Sequence, residues 1–338
     1  MRASLSLLAV LTLSPLAARA QDETPPPPPT AESTLSVQVH VVALEALVRD
    51  HNGLLVHGLT KSDFTLREDG KPIDIRYFDA DSDLPLRLGL MVDTSGSQLP
   101  YADEERKASA VFLQSMLKQP QDQAFLVRFD SRVLQLQALT PSVPRLTHAL
   151  DFLTLKESEL AAHIPAAAAA VKPHGGTLLF DAICFTAYGV TSKQPGRRAI
   201  VVLTDGDDNG STYSLSEAIR QAQLADTAVY SVMYTSQALT GVSSAHPYGV
   251  DVMRQISQAT GGRIFVVSPQ LPIAKIFQQI EEDMRSQYRF GFTPTPSKPN
   301  QFHMLDLKTV DKTMTLQTRT GYYSPSETPP AATPTTVK

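Results

Sequence analysis

The amino-acid sequence predicts an α/β fold in which a doubly wound, mostly parallel sheet carries helices on both faces. This domain is inserted in a small β-sandwich that both ends of the ordered chain build together. Short apolar runs alternate with amphipathic stretches between residues 84 and 286, which is typical of buried parallel strands covered by helices. Strand-like segments flank that region on both sides. Because isolated hairpins are only marginally stable, we expect the two flanks to pack together.

The N-terminus has the pattern of a secretory signal peptide. Residues 1–20 begin with Met1 and Arg2, continue with the apolar run "LSLLAVLTL" and end in the cleavage-site sequence "AARA". A proline-rich linker follows over residues 21–34, and the similar segment 324–338 is predicted to be a disordered tail. No later segment is long and apolar enough to span a membrane. We therefore expect an exported protein, either periplasmic or secreted to the cell surface.

Residues 35–83 form the predicted N-terminal β segment. Its first part, "LSVQVHVVALEALVRD", alternates and is rich in valine, and "HNG" follows as a turn. Two short strands, "FTLRED" and "IDIRYFD", flank the turn signal "DGKP". Residues 287–323 form the predicted C-terminal β segment, with strands in "YRFGFTP", "FHMLDLKTV" and "TMTLQTRTGYY". This second segment is predicted to pack against the first.

The predicted α/β domain covers residues 84–286. Its strand-like runs are "LRLGLMV", "AFLVRF", "RAIVVLT", "AVYSVMY" and "RIFVVS". Helix-like stretches include residues 101–118, where apolar side chains recur at helical spacing, and "LSEAIRQAQLA", "VDVMRQISQAT" and "IAKIFQQIEEDMRSQ". The run "RVLQLQALT" is predicted to pair antiparallel at an edge of the sheet. Cys184, the only cysteine of the 338 residues, lies among apolar neighbours and is predicted to be buried.

Composition and motifs argue against several classes of function. The formal net charge is −4, and the absence of a basic run or basic stripe argues against nucleic-acid binding. The eight histidines are scattered, no H-E-x-x-H motif occurs, and Ser95 lacks a G-x-S-x-G elbow. A metal-assisted hydrolase needs a general base or a two-metal carboxylate cluster, and the sequence spells out neither. We therefore expect no enzymatic activity.

Three loops rich in oxygen ligands converge on one edge of the predicted sheet. They are "DTSGS" at residues 93–97, "HGGTLLFDA" at residues 174–182 and "TDGDDNGS" at residues 204–211. Doubly wound sheets bind ligands at this edge, near a switch point. Because none of the loops offers His or Cys at metal-ligand spacing, the sequence favours a hard cation such as Mg²⁺ over Zn²⁺. Ser95 and Ser97 are two residues apart, so a tight turn can aim both hydroxyls at one ion.

Five residues in these loops carry a resemblance to a known family. Asp93, Ser95, Ser97, Thr177 and Asp205 resemble the metal-ion-dependent adhesion site of the von Willebrand factor A domain, which uses a D-x-S-x-S, Thr and Asp set. The resemblance implies that the serines and the threonine hold the ion through hydroxyls and that the aspartates act largely through bound water. It also implies that a Glu or Asp of a partner protein completes the coordination. An ion with few direct carboxylates stays positive enough to attract such an anionic group.

The flanking segments resemble a narrower group, the exported bacterial VWFA-related acidobacterial domain family. The stretch "VVALEALVRDHNGLLVHGLTKSDFTLREDGKP" carries this resemblance before the α/β domain, and "YRFGF" and "RTGYY" carry it afterwards. The implied function is an exported, metal-dependent binding or adhesion protein that holds Mg²⁺, or Mn²⁺ or Ca²⁺, and coordinates an acidic group of a protein partner. The alternatives are a structural or assembly module of the cell envelope with a non-essential metal site, or a metal-assisted hydrolase.

Each candidate ligand also has an ordinary structural explanation. The D-x-S-x-S pattern can be a helix N-cap, Thr177 can cap the helix after two glycines, and Asp205 can begin a turn with Gly206. Asp181, four residues after Thr177, is either a carboxylate that supports the site or an ordinary charge near a helix N-terminus. The loop "DGDDNG" matches the start of an EF-hand calcium loop, although Glu217 comes one place too late for its bidentate ligand.

Overall fold

The computed structural model describes most of the chain between residues 41 and 324. The described residues are 41–80, 84–160, 163, 175–234 and 247–324. The predicted signal peptide, the proline-rich linker, residues 35–40 and 81–83 of the N-terminal β segment and residues 325–338 of the tail lie outside them. Within the described ranges, no helix is both long and apolar enough to cross a membrane.

The described residues form strands and helices in the order that an inserted α/β domain requires. The strands are β1 (Val42–Arg49), β2 (Phe64–Glu68), β3 (Lys71–Pro72), β4 (Tyr77–Asp79), β5 (Leu86–Asp93), β6 (Gln123–Phe129), β7 (Val133–Thr140), β8 (Arg197–Thr204), β9 (Thr227–Met233), β10 (Ile264–Val266), β11 (Tyr288–Phe292), β12 (Phe302–Thr309), β13 (Thr315–Thr318) and β14 (Gly321–Tyr323). The α-helices are α1 (Ala102–Met116), α2 (Val143–Leu150), α3 (Glu157–Leu160), α4 (Leu179–Cys184), α5 (Leu215–Leu224), α6 (Pro247–Thr260) and α7 (Ile273–Arg285). A π-helical turn, Phe185–Val190, continues α4.

The central sheet has six strands in the order β10-β9-β8-β5-β6-β7. All neighbouring strands run parallel except β7, which pairs antiparallel with β6 at one edge and is the edge strand predicted from "RVLQLQALT". From β5 the chain continues to β6 on one side and later to β8 on the other, so the strand order changes direction at β5. The predicted doubly wound, mostly parallel sheet is confirmed.

Helices cover both faces of this sheet because its strands are apolar on both sides. Every residue of β5 is buried, and its side chains alternate between two hydrophobic clusters. Leu88, Leu90 and Val92 belong to the cluster formed with α1, α2 and α7, whereas Met91 belongs to the cluster formed with α4, α5 and α6. Cys184 is buried in the second cluster, as the sequence predicts.

Two antiparallel four-stranded sheets form the β-sandwich. Their strand orders are β13-β1-β11-β4 and β14-β12-β2-β3, so each sheet combines strands from before and after the α/β domain. Side chains of both sheets share one hydrophobic core, which includes Leu44, Phe64, Phe290 and Leu307. The insertion of the α/β domain in a sandwich built from both flanks is therefore confirmed, while the residue boundaries of the predicted domains stay predictions.

The predicted strand "IDIRYFD" is shorter in the structure than the sequence indicates. Only Tyr77–Asp79 is a strand, and the preceding residues 73–76 are irregular. The reason is that β3 pairs with β2 in one sheet, whereas β4 pairs with β11 in the other. The residues between β3 and β4 therefore cross from one sheet of the sandwich to the other.

Ion pairs join the sandwich to the α/β domain. Arg319, between β13 and β14, forms a salt bridge of 2.6 Å with Asp226, which precedes β9. The same guanidinium donates to the carbonyl oxygen of Ala43 in β1. Arg49 of β1 pairs with Asp283 of α7, whose side chain is buried. These contacts join the α/β domain to the sandwich through charged side chains.

Candidate metal centre

The candidate site lies where two neighbouring parallel strands of the central sheet end. Asp93 is the last residue of β5, and Asp205 directly follows Thr204, the last residue of β8. The two strands are paired as far as Val92 and Leu203, so both loops leave the sheet side by side. This position is the switch point of the sheet, where ligands of doubly wound folds bind.

Three of the candidate ligands form a continuous chain of side-chain contacts. The hydroxyl oxygens of Ser95 and Ser97 are 3.1 Å apart, and the Ser97 hydroxyl donates to Oδ2 of Asp205 at 2.6 Å. Nε2 of Gln98 donates to the same carboxylate oxygen at 2.9 Å. Ser97 is exposed, and Ser95 and Asp205 are half-buried, so solvent reaches this group. The structure therefore brings the D-x-S-x-S loop and the Asp205 loop together at one accessible point.

Asp93 is buried, with only 1% of its surface exposed. Its Oδ1 accepts a hydrogen bond from the backbone N–H of Ser95 at 2.9 Å, and its Oδ2 accepts one from the Thr204 hydroxyl at 2.7 Å. The Thr204 hydroxyl oxygen in turn accepts from the backbone N–H of Gly206 at 3.0 Å. Through these bonds the Asp93 carboxylate is fixed in place and connects the first residues of the two loops.

Thr177 is joined to the Asp205 loop through its backbone. Its N–H donates to Oδ1 of Asn209 at 2.5 Å, and its carbonyl oxygen accepts from the N–H groups of Asn209 and Gly210 at 3.3 and 3.2 Å. Gly176 has a φ of +86°, and a Cβ at this position would lie 2.3 Å from Oδ1 of Asn209. Glycine is therefore required for this close approach of the two loops.

The helix after the glycine-rich loop begins too late for Thr177 to be its N-cap residue. Helix α4 starts at Leu179, and its N-cap position is Leu178, without a capping side chain. Thr177 therefore lies in the loop before the helix, and its side chain is not explained by helix capping. The side chain is 7% exposed. Its role as a ligand stays a prediction.

The two aspartates of the site influence each other electrostatically. Among the described residues, neither Asp93 nor Asp205 forms an ion pair with Lys, Arg or His. Burial is the main reason that the pKa of Asp93 is raised to about 6, and the nearby charge of Asp205 raises it further. Hydrogen bonds from Ser95 and Thr204 act in the opposite direction and lower it. A cation beside these carboxylates would favour their charged forms. The local electrostatics therefore favour a bound cation.

The donor set suits a hard divalent cation. The five candidates offer hydroxyl and carboxylate oxygens, which are the ligands that Mg²⁺, Mn²⁺ and Ca²⁺ prefer. In the part of the chain that the structure describes, no three His, Cys, Asp or Glu side chains cluster in a way that could hold a metal ion. A metal at this point would therefore depend on serine and threonine hydroxyls for its first coordination shell. The assignment of Asp93, Ser95, Ser97, Thr177 and Asp205 as ligands stays a prediction.

The Asp205 loop does not have the geometry of an EF-hand. It follows strand β8, whereas an EF-hand loop follows a helix. Oε2 of Glu217 accepts from the backbone N–H of Ser214 at 2.8 Å and forms part of a capping box at the start of α5. This carboxylate is engaged at the helix terminus and does not supply the bidentate ligand that an EF-hand needs.

Asp181 supports a neighbouring loop. Its Oδ1 accepts from the backbone N–H groups of Thr212 and Tyr213, both at 2.9 Å. Its own backbone N–H donates to the Ser211 hydroxyl at 3.1 Å. The spacing of four residues would place Asp181 and Thr177 on one helix face, but α4 begins at Leu179, after Thr177, so they do not share one. Asp181 instead connects α4 to the loop that runs from the candidate site to α5.

Three residues outside the predicted ligand set hold the loops of the site. The side-chain amide of Gln98 donates, that of Asn209 accepts, and the Thr204 hydroxyl does both. Thr204 and Asn209 lie inside the quoted loop "TDGDDNGS", where their residue types are equally typical of a turn. Gln98 directly follows the motif and is 2% exposed, but no local pattern distinguishes a buried amide from an exposed one.

No family model matches this chain, and no curated protein matches it. Solved structures with similar folds include von Willebrand factor A domain proteins. The vWF domain of the type V pili tip protein Mfa5 from Porphyromonas gingivalis is 12% identical, with a TM-score of 0.44, and the alignment covers 60% of this chain and 95% of that domain. An aerotolerance-related membrane protein from Bacteroides fragilis is 15% identical, with a TM-score of 0.43, over 59% of this chain and 98% of that protein. Proximal thread matrix protein 1 from the mussel byssus, with a zinc-occupied MIDAS motif, is 14% identical, with a TM-score of 0.43, over 66% of this chain and 50% of that protein.

Proposed function

We propose that this chain is an exported, metal-dependent binding protein that acts in adhesion or a similar protein contact. A divalent cation of the Mg²⁺ type, for which Mn²⁺ or Ca²⁺ can substitute, is held by Asp93, Ser95, Ser97, Thr177 and Asp205. The ion coordinates a Glu or Asp carboxylate of a protein partner. The β-sandwich built from both flanks carries the α/β domain.

One observation carries this proposal: oxygen ligands from two different loops meet at the switch point of the sheet. The Ser95 and Ser97 hydroxyls are 3.1 Å apart, and the Ser97 hydroxyl lies 2.6 Å from a carboxylate oxygen of Asp205. Residues 108 positions apart in the chain reach hydrogen-bond distance only because β5 and β8 are neighbours. Closely spaced hydroxyl and carboxylate oxygens form the donor set that hard cations bind.

The same donor set favours an acidic partner. Hydroxyls are neutral ligands, and both oxygens of Asp93 already accept hydrogen bonds from the protein. A bound ion therefore keeps much of its positive charge and attracts an anion. Ser97 is exposed, so a carboxylate can approach from solvent. Mg²⁺ usually keeps several water ligands, and a partner's carboxylate can replace one of them.

Calorimetric titration with Mn²⁺ and Mg²⁺ tests the metal site. We expect the wild-type protein to bind one ion, and Ser95→Ala and Ser97→Ala to bind it at least about tenfold more weakly. The matched control is Ser216→Ala, because Ser214 and Ser216 form a second exposed serine pair whose hydroxyl oxygens are 3.0 Å apart. Equal affinity of the wild type and both site variants would contradict the assignment.

Capture of envelope proteins on the immobilised chain tests the binding role. We expect captured proteins to be released by EDTA and to be lost with Ser95→Ala but kept with Ser216→Ala. Capture that persists in EDTA would instead favour a structural or assembly module whose metal site is not needed.

A further inference from the structure

We propose that this molecule has a second binding site, which takes a basic side chain of a protein partner. The site is the cleft between the helical segment 179–190 and α5, called the Asp181 cleft below. It encloses about 520 Å³, which is within the range of ligand-binding pockets. The inference does not depend on the proposed metal-dependent function.

One continuous helical face forms the first wall of the Asp181 cleft. Its lining residues recur at intervals of three and four along α4 and the π-helical turn, so they point to the same side. These residues are Asp181, Cys184, Phe185, Tyr188 and Gly189. The opposite wall consists of Tyr213, just before α5, and Gln221 on α5. The cleft is therefore built on helices that pack against the central sheet.

The carboxylate of Asp181 has an oxygen without a partner. Oδ1 accepts from the backbone N–H groups of Thr212 and Tyr213. Oδ2 is buried and has no hydrogen-bond partner among the described residues, and the whole residue is only 2% exposed. A buried polar atom of this kind is costly unless a donor reaches it. A cationic donor gains the most there, because charge-assisted hydrogen bonds are stronger than neutral ones.

Exposed aromatic rings line the same cleft as this carboxylate. Tyr188 is 68% exposed and Tyr213 is 46% exposed, while Phe185 is partly buried. Cations are attracted to the faces of aromatic rings, and the attraction is larger where water is excluded. An ammonium or guanidinium group in this cleft would therefore meet both a carboxylate and aromatic surface.

The charges around the cleft also favour a cation. Burial, and then the charges of Asp181 and Glu217, raise the pKa of the Cys184 thiol to about 12, so this thiol stays neutral. The residues that line the cleft in the described chain include no Lys or Arg. Arg220 of α5 lies over the ring of Tyr323, 5.2 Å from its centre, and is engaged on the sandwich side. A ligand can therefore supply a positive charge that the described lining residues do not.

An NMR titration in EDTA tests the site separately from the metal centre. The probes are three blocked tripeptides that carry lysine, its uncharged analogue norleucine, or arginine between two glycines. We expect saturable shifts from the lysine peptide at the amides of residues 179–190 and 212–213. The norleucine peptide is expected to bind at least about tenfold more weakly. An arginine peptide is expected to bind as well, and its affinity relative to lysine distinguishes guanidinium from ammonium recognition.

Two variants identify the groups responsible. Asp181→Asn keeps an oxygen for both backbone N–H groups but removes the charge, and we expect at least about tenfold weaker binding of the lysine peptide. Tyr188→Ala is expected to weaken binding about two- to fivefold. The matched control is Tyr248→Ala on α6, since that ring is 67% exposed and lies outside the cleft lining.

Circular dichroism shows whether each variant is folded. If Asp181→Asn does not fold, the comparison of the lysine and norleucine peptides and the Tyr188→Ala variant test the proposal instead. Equal binding of the lysine and norleucine peptides would overturn the proposal. Undiminished binding by the folded variants would overturn it too.

Discussion

At the scale of single residues, the candidate metal centre depends on side chains that hold the ligands in place. The Thr204 hydroxyl is fully buried, donates to Asp93 and accepts from the N–H of Gly206. Asn209 similarly connects Thr177 to the loop of Asp205. Residues that orient ligands in this way set the geometry of a metal site nearly as strongly as the ligands do.

We expect Thr204→Val to destabilise the protein and to weaken metal binding. Valine has nearly the same shape, but the buried carboxylate of Asp93 then lacks the hydrogen bond from Thr204, which costs about 1–3 kcal/mol. Urea denaturation followed by circular dichroism measures the free energy of unfolding, and calorimetry measures the Mn²⁺ affinity. Thr65→Val, at an exposed position of β2, is the matched control. Unchanged stability in Thr204→Val would show that the Thr204–Asp93 contact contributes little.

At the scale of elements, α6 lies close enough to the Asp205 loop to determine where that loop runs. A Cβ at Gly249 of α6 would lie 2.5 Å from the carbonyl oxygen of Asp205, and a Cβ at Gly206 would lie 2.5 Å from the carbonyl oxygen of Gly249. Backbones approach this closely only where both residues lack side chains. The position of Asp205 therefore depends on a helix that is more than 40 residues further along the chain.

We expect Gly249→Ala to push α6 and the Asp205 loop apart. The free energy of unfolding should fall by about 1–3 kcal/mol, in spite of the higher helix propensity of alanine, because the added methyl group overlaps backbone atoms. Mn²⁺ affinity should fall with it. The matched control is Gly189→Ala, where the nearest atom to a new Cβ belongs to Phe185 and is 3.4 Å away. Wild-type stability together with wild-type metal affinity in Gly249→Ala would contradict this account.

At the scale of the whole molecule, charged contacts couple the sandwich to the α/β domain. Arg319 is 8% exposed and bonds both Asp226 in the α/β domain and the backbone of β1 in the sandwich. Asp226 also pairs with Arg198 of β8 at 2.9 Å. Removing one charged side chain from such a buried network leaves its partner unpaired away from water. That loss costs more free energy than breaking an ion pair on an open surface.

We expect Arg319→Met to lower the free energy of unfolding by about 1–3 kcal/mol, since Asp226 keeps Arg198 but loses its other partner. The matched control is Arg254→Met on α6, whose exposed pair with Asp251 should contribute less than about 1 kcal/mol. Urea denaturation of both variants and the wild type provides the comparison. Equal effects of the two substitutions would mean that the junction is no stronger than a surface ion pair.

The fold could be predicted because its signals are local and repeated. The run from Leu86 to Asp93 is almost continuously apolar, which indicates a buried central strand, and every residue of it is buried. The crossing between β3 and β4 could not be predicted. Residues 73–76 have the composition of a strand. They are irregular because β3 before them and β4 after them pair with two different sheets.

The candidate site could be predicted in part. Asp93, Ser95, Ser97 and Asp205 follow strand ends, and their spacing within each loop is visible in the sequence. How the loops hold each other is not visible there. The start of α4 at Leu179 depends on contacts that cross the chain.

By itself the sequence determined the class of fold, the burial of β5 and Cys184, and the residue types that end the strands. These follow from hydrophobic periodicity and side-chain chemistry, which act over a few residues. Only the tertiary structure decided which loops meet. It placed the Ser97 hydroxyl 2.6 Å from Asp205, and it left Oδ2 of Asp181 buried without a partner among the described residues. Contacts between residues far apart depend on strand order and packing, which no short stretch of sequence encodes.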